Sequence, residues 1–308
     1  MPEKEVFMDD FVFSSNLLYE NLNILKQSYP FIQTGSIGKS IMGKDIPYVR
    51  VGRGQKEVFY SASYHANEWI TSIVLLEFLY EYCNAIQNNL TIWNFSARRL
   101  FDSVSIYIVP LVNPDGVDLV TGALPKSSPS YKQAEKIAYG FATIPFPDGW
   151  KANIRGVDLN LQFPAEWEKA REIKYEQGFT TPAPRDFVGY GPLTEPEALA
   201  VYNFTLQHNF RLILAYHSQG EVIYLQSQNY NPPNSLFIGR QFANVSGYYL
   251  EPTPYNSSFA GYNDWFIQNY NRPGYTIEVG LGTNPLPMTQ FRKIYEDNLG
   301  ILVLGAVL

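Results

Sequence analysis

Short apolar runs bounded by turn residues alternate with helix-period segments along this chain, and that alternation constrains the fold more than any other feature. Residues 58–63, 104–109, 212–216 and 274–279 are strand-length runs apolar enough to be buried on both faces. Between them, apolar stripes predict helices over residues 17–28, after the capping pair Ser14-Ser15, and over 68–83. Further helices are expected from the capping box Thr194-Glu195-Pro196-Glu197 to about His208, and over 235–246, 262–268 and 288–304. Two strands flank the turn Met42-Gly43-Lys44-Asp45 as a hairpin. From Asn113-Pro114-Asp115-Gly116 to about Phe163 the chain is polar and weakly periodic, which marks a functional loop system. Nowhere do a Ser/Gly linker, an internal repeat or a break in composition divide the 308 residues. The expectation is a single α/β domain over residues 1–308, with a largely parallel or mixed sheet and the helical segment 1–30 packed on it.

Composition excludes several functions. A net charge of −6 without a basic cluster predicts no nucleic-acid partner. No stretch approaches the ~20 apolar residues of a membrane span. The start Met1-Pro2-Glu3-Lys4-Glu5-Val6 lacks the basic and apolar regions of a secretory signal, so a cytoplasmic location is expected. The one cysteine, Cys83, lies in an apolar run and reads as a buried structural thiol. Nothing in the chain indicates an oligomeric state.

Chemistry concentrates at the ends of the expected strands, where open α/β sheets place their ligands. His65 and Glu68 follow one run, and His217 ends another. A histidine with a glutamate three residues on is a weak signal alone. Glu278, however, sits inside the apolar strand Tyr275-Thr276-Ile277-Glu278-Val279, where an unpartnered carboxylate is costly to bury. Together they compose a site for one Zn2+ held by His65, Glu68 and His217, with Glu278 left over as a proton carrier. That is the equipment of a metal-assisted hydrolase. Arg155, in Trp150-Lys151-Ala152-Asn153-Ile154-Arg155-Gly156, is the candidate cation for the developing oxyanion.

With His65-Ala66-Asn67-Glu68-Trp69-Ile70, Asn113-Pro114-Asp115-Gly116, Gly156-Val157-Asp158-Leu159-Asn160, Gly191-Pro192-Leu193-Thr194-Glu195-Pro196-Glu197, His217-Ser218 and Thr276-Ile277-Glu278 in this order, the chain resembles the zinc carboxypeptidases of the carboxypeptidase A-like family. The resemblance implies a mixed sheet of about eight strands with helices on both faces. It implies zinc on His65, Glu68 and His217, Glu278 as general base and acid, Arg155 at the oxyanion and Asn160 on a substrate carboxylate. Lys151, directly after Trp150, is the alternative alignment for the family's oxyanion arginine. The family's mobile-loop tyrosine falls by offset on Asn256, with Tyr255 and Tyr262 as the nearby phenols, and Tyr255 is the candidate. Asn263 falls in the specificity pocket.

One departure bears on substrate. Carboxypeptidases follow the Asp-x-Asn asparagine with an arginine that clamps a terminal carboxylate, and here Asn160 is followed by Leu161. The segment from Val157 to Trp167 is similar to a bacterial branch of γ-D-glutamyl-meso-diaminopimelate peptidases, which act on peptidoglycan peptides in wall turnover or sporulation. The resemblance therefore implies a peptide or muropeptide substrate, met in the cytosol, in a forespore or after lysis. The alternatives are a general metallocarboxypeptidase, a deacylase of small substrates, or a binding protein that has kept the fold.

Overall fold

The computed structural model describes residues 12–308 apart from residue 226, so residues 1–11 of the expected N-terminal segment lie outside the described residues. The strands in chain order are β1 (Gln33–Lys39), β2 (Asp45–Gly52), β3 (Lys56–Ala62), β4 (Thr91–Ile92), β5 (Phe95–Ser96) and β6 (Val104–Val109). There follow β7 (Phe210–His217), β8 (Val222–Tyr224), β9 (Tyr249–Glu251) and β10 (Gly274–Glu278). β4 and β5 make a separate two-stranded ribbon, and the other eight form one mixed sheet in the order β1-β2-β6-β3-β7-β10-β8-β9. β6, β3, β7 and β10 run parallel at its centre. They are the four apolar runs, and they are apolar throughout because both of their faces are covered.

The period-two alternation of the strands sorts their side chains between two cores. Val58, Tyr60 and Ala62 of β3, with Leu212, Leu214 and Tyr216 of β7, face one side. There they meet α1 (Ser15–Ser28), α2 (Ile70–Gln87), α3 (Ala97–Ser103) and, later in the chain, α8 (Ser235–Ser246) and α10 (Phe291–Val307). Phe59, Ile213 and Ala215 face the other side, against α7 (Pro196–Leu206) and α9 (Tyr262–Tyr270). Fully burying one such side chain is worth about 1.5–3 kcal/mol, so the two cores fix strand register firmly. Between β6 and α7 the chain forms α4 (Pro114–Val120), α5 (Pro129–Ala138) and α6 (Trp167–Glu176), with long irregular stretches between them.

Most expected elements are present within a few residues of their expected bounds. The hairpin forms as β1 and β2, Ser14 caps α1 by accepting from the Leu17 amide at 3.1 Å, and Cys83 is buried in α2. The expected capping box at residue 194 does not form. The Thr194 hydroxyl instead meets Gln162 Oε1 and the Gly191 carbonyl, and α7 starts at Pro196 without a side-chain cap. The Glu197 carboxylate accepts from the Ile41 amide instead of closing the box, so a tertiary contact has taken the local one's place. Helix α6, which is polar over most of its length, and the three-residue strands β8 and β9 have no counterpart among the expected elements. Among the described residues no helix is long and apolar enough to cross a membrane.

Candidate metal centre and catalytic cleft

Three neighbouring parallel strands deliver the chemistry from their C-terminal ends. β3 ends at Ala62, opposite Tyr216 of β7, and Glu278 of β10 lies opposite His217 of β7. After β3 the chain turns sharply: Ser63 takes a left-handed conformation (φ 53°), and its hydroxyl bonds to Ser72 Oγ at 2.7 Å. That turn sends Tyr64 and His65 over the sheet edge, and a single 3-10 turn, Ala66–Glu68, brings Glu68 back beneath His65.

The three expected ligands converge. His65 Nδ1 and His217 Nδ1 each lie 2.9 Å from a different oxygen of the Glu68 carboxylate, and 3.2 Å from each other. One donor atom from each residue fits within a 4.8 Å group. Two imidazole nitrogens and a carboxylate aimed at one point form a donor set suited to zinc, with room for a further ligand. His65 Nε2 is held at 3.1 Å by Asp158 Oδ1, which fixes the ring and turns the Nδ1 lone pair toward the centre. Tyr64 stacks on His217 with ring centroids 5.6 Å apart. The electrostatics match a cation site. Although burial opposes it, the neighbouring charges of His65 and Lys151 hold Glu68 well below the usual carboxylate range. Burial depresses His217. Burial first, and then the Glu68 carboxylate, pushes Glu278 up to about 8.

Beside the centre lies a cavity of about 230 Å3 lined by His65, His217, Glu278, Asn160, Leu161 and Asn263, among others. A larger, more open cavity of about 730 Å3 adjoins it, lined by Asn67, Ser218, Gln219 and Asn284. Lys151, Arg185 and Glu278 line both, so the site is a cleft with two arms that meet at these residues.

The structure sorts the remaining candidates. Arg155 does not reach the cleft: its Nε and Nη2 donate to Glu195 Oε2 at 3.1 and 2.9 Å, and it lines neither cavity. Lys151 lines both, and its Nζ donates to Glu68 Oε1 at 2.8 Å. A buried brace sets this choice. Asn113 donates to the carbonyls of Tyr64 and Ala152, and the Ala66 amide donates to the Lys151 carbonyl at 3.0 Å, which ties the Lys151 segment to the His65 turn. Gly116 is required under that brace, since a Cβ there would lie 2.6 Å from Asn113 Oδ1. Asn160 faces the cavity while its Oδ1 accepts from the Tyr262 amide. Asn263 is buried against the cavity, with an Oδ1 that has no hydrogen-bond partner among the described residues. Tyr255 is 64% exposed, packs edge-on against Phe259, and lines neither cavity. Tyr262 is buried under the site, and Asn256 lines neither cavity. The phenol that does line the smaller cavity is Tyr224, which pairs with Thr276 across β8 and β10.

Sequence reasoning passed over Lys174, Arg185, Asp186 and Tyr224, all of which line the cavity. Their stretches match no motif.

Comparison with known proteins agrees with this geometry. Residues 18–300 match the family model described as zinc carboxypeptidase. The chain is 44% identical over 293 residues to "Gamma-D-glutamyl-L-diamino acid endopeptidase 1" of Lysinibacillus sphaericus, covering 95% of this chain and 72% of that protein. It is 39% identical to the uncharacterized protein YqgT of Bacillus subtilis, covering 94% and 76%. Among solved structures, thrombin activatable fibrinolysis inhibitor superposes with a TM-score of 0.73 at 19% identity, over 96% of this chain and 74% of that one.

Proposed function

We propose a substrate and a mechanism on one premise: the chain belongs to the zinc carboxypeptidase family and is a metallopeptidase. The substrate we infer is the amide bond between the γ-carboxyl of a D-glutamyl residue and an L-diamino acid such as meso-diaminopimelate, in peptidoglycan peptides. One observation carries this reading: the 44% identity, over 95% of the chain, to a relative named for that activity. The surroundings of Leu161 support it. Its side chain is buried in a small apolar cluster with Trp167, Ala170, Ile173 and Val188, so the position that clamps a terminal carboxylate in carboxypeptidases is here a packing seat for α6. The reading places the chain in the turnover of wall peptides.

His65, Glu68 and His217 would hold the metal, with Asp158 orienting His65. A bound zinc ion supplies an activated water and a polarised carbonyl. Glu278 then carries the proton: its carboxylate takes it from the attacking water and returns it to the leaving nitrogen. Its buried, carboxylate-flanked position favours holding that proton between the two transfers. Lys151 takes the oxyanion role considered for Arg155, because its ammonium lies in the cleft and Arg155 is tied to Glu195. Asn263, a polar residue lining the pocket, suits the second amine of a diamino acid. Asn160 lines the same pocket and would contact a carboxylate of the leaving group through its amide nitrogen. Tyr255, on the exposed rim, has no part in this arrangement.

The test is metal analysis together with product analysis. The expected result is one zinc per chain and release of diaminopimelate-containing product from a γ-D-glutamyl-meso-diaminopimelate peptide. Cleavage of simple C-terminal dipeptides alone would refute the wall-peptide assignment.

A further inference from the structure

Asp186, in the loop after α6, gathers two cations beside the metal centre, Lys174 from the last turn of α6 and its neighbour Arg185. Asp186 Oδ1 holds Lys174 Nζ at 2.5 Å, and Asp186 Oδ2 holds Arg185 Nε at 2.6 Å. The trio therefore carries a surplus positive charge. Asp186 adopts a left-handed backbone (φ 64°), a conformation that persists where surrounding contacts over-determine it. The contact is visible: the Asp186 amide donates to Asp158 Oδ2, whose other oxygen holds His65. Arg185 is thus braced, through two residues, against a metal ligand.

The guanidinium is oriented but not consumed. With Nε committed to Asp186, its Nη1 and Nη2 make no hydrogen bond among the described residues, and the side chain is 43% exposed. Arg185 lines both arms of the cleft at their junction with Lys151 and Glu278. If the leaving amine lies in the smaller arm with Asn160 and Asn263, the acyl group lies in the larger one, and Arg185 faces its first atoms.

We infer that Arg185 is a specificity-determining residue that binds the free α-carboxylate of the γ-linked glutamyl residue, with Asp186 as its positioning partner. This rests on the proposed substrate. A γ-linked glutamyl residue differs from an ordinary peptide unit in presenting a carboxylate a few bonds from the scissile carbonyl, on the acyl side. An α-linked residue with a neutral side chain has no anion there. A planar guanidinium with its Nε held by a protein carboxylate still offers a two-pronged edge to a second one. Arg185 would therefore read the free carboxylate of the glutamyl residue, a role that Leu161 cannot perform from the opposite side of the bond.

The experiment compares kcat/KM on a γ-D-glutamyl-meso-diaminopimelate peptide and on its analogue with the glutamyl α-carboxylate converted to carboxamide. Wild type is expected to prefer the carboxylate by about 10- to 100-fold, the range of a charge-assisted pair. In Arg185→Gln the ratio should fall to near one through loss of the carboxylate substrate alone, with zinc content unchanged and partial recovery in Arg185→Lys. A wild-type ratio near one overturns the inference without any variant, as does an equal loss on both substrates in Arg185→Gln. A third substrate, with lysine in place of diaminopimelate, separates the two sources of carboxylate. If Arg185→Gln erases the preference for diaminopimelate over lysine and spares the carboxamide ratio, the anion belongs to the leaving group and the assignment is wrong. Cleavage of neither glutamyl peptide by wild type would instead refute the substrate reading itself.

Discussion

Glu278 lies directly opposite His217 in the parallel pairing of β10 with β7, and the two side chains share one face of the sheet. Register alone therefore places the proposed proton carrier beside the candidate metal site. A slip of one residue would turn Glu278 into the opposite core, which holds Tyr275 and Ile277.

Replacing Glu278 with Gln keeps the volume and removes the proton acceptor. Hydrolysis should fall by about 10²–10⁴-fold with zinc retained at one per chain, read by metal analysis and product formation. Activity near wild type would show that the proton travels by another group.

Lys151 and Arg155 make a paired test of the oxyanion assignment. Lys151→Ala should lower kcat by about 10²-fold or more, because it removes the cleft-lining cation that lies against Glu68. Arg155→Ala should leave kcat near wild type, since its guanidinium is committed to Glu195 on the outer side of the same loop. The reverse pattern of rates would restore Arg155 to the site.

Asp264 is buried, and burial pushes its carboxyl up to about 7 against the hydrogen bonds from Ser227 and the Gly261 amide. The folded state then keeps its proton from about pH 4, where an unfolded aspartate loses one, up to about 7. This group's contribution is most favourable below pH 4 and is lost as the pH rises through 7. Asp264→Asn cannot ionise, so its stability relative to wild type should increase between pH 5 and pH 8, by an amount on the order of 2 kcal/mol. Urea midpoints at the two pH values measure it, and a difference that does not change with pH would mean the carboxyl is ionised throughout.

Leu161 is a packing residue, with its side chain in the cluster that seats α6. Leu161→Ala should cost about 2 kcal/mol of stability, at the low end for buried leucines because the cluster is small and borders the cavity. Leu161→Arg should destabilise the fold further and yield no C-terminal trimming of dipeptides. Efficient trimming by that variant would mean the arginine alone separates the two specificities.

How much of the site was legible in the sequence depended on how local each signal was. His65, Glu68, His217 and Glu278 stand at strand ends or within an apolar run, where a polar residue interrupts a pattern that short windows reveal. The loop residues offered no such contrast. The sequence favoured Arg155 over Lys151, and the Asn113 and Glu195 contacts that turn Lys151 inward and Arg155 outward span tens of residues. Arg185 and Asp186 lay in a stretch without a motif, and Tyr224 on a strand of three residues.

The sequence by itself determined the α/β alternation, the paired buried strands and the candidates His65, Glu68, His217 and Glu278, because burial periodicity and a carboxylate inside an apolar strand are properties of neighbours along the chain. Only the tertiary structure decided which cation faces the cleft, that Tyr255 stands outside it, and that Leu161 is a seat for α6. Those outcomes depend on side-chain direction in irregular backbone, and there direction is set by contacts between segments far apart in the chain.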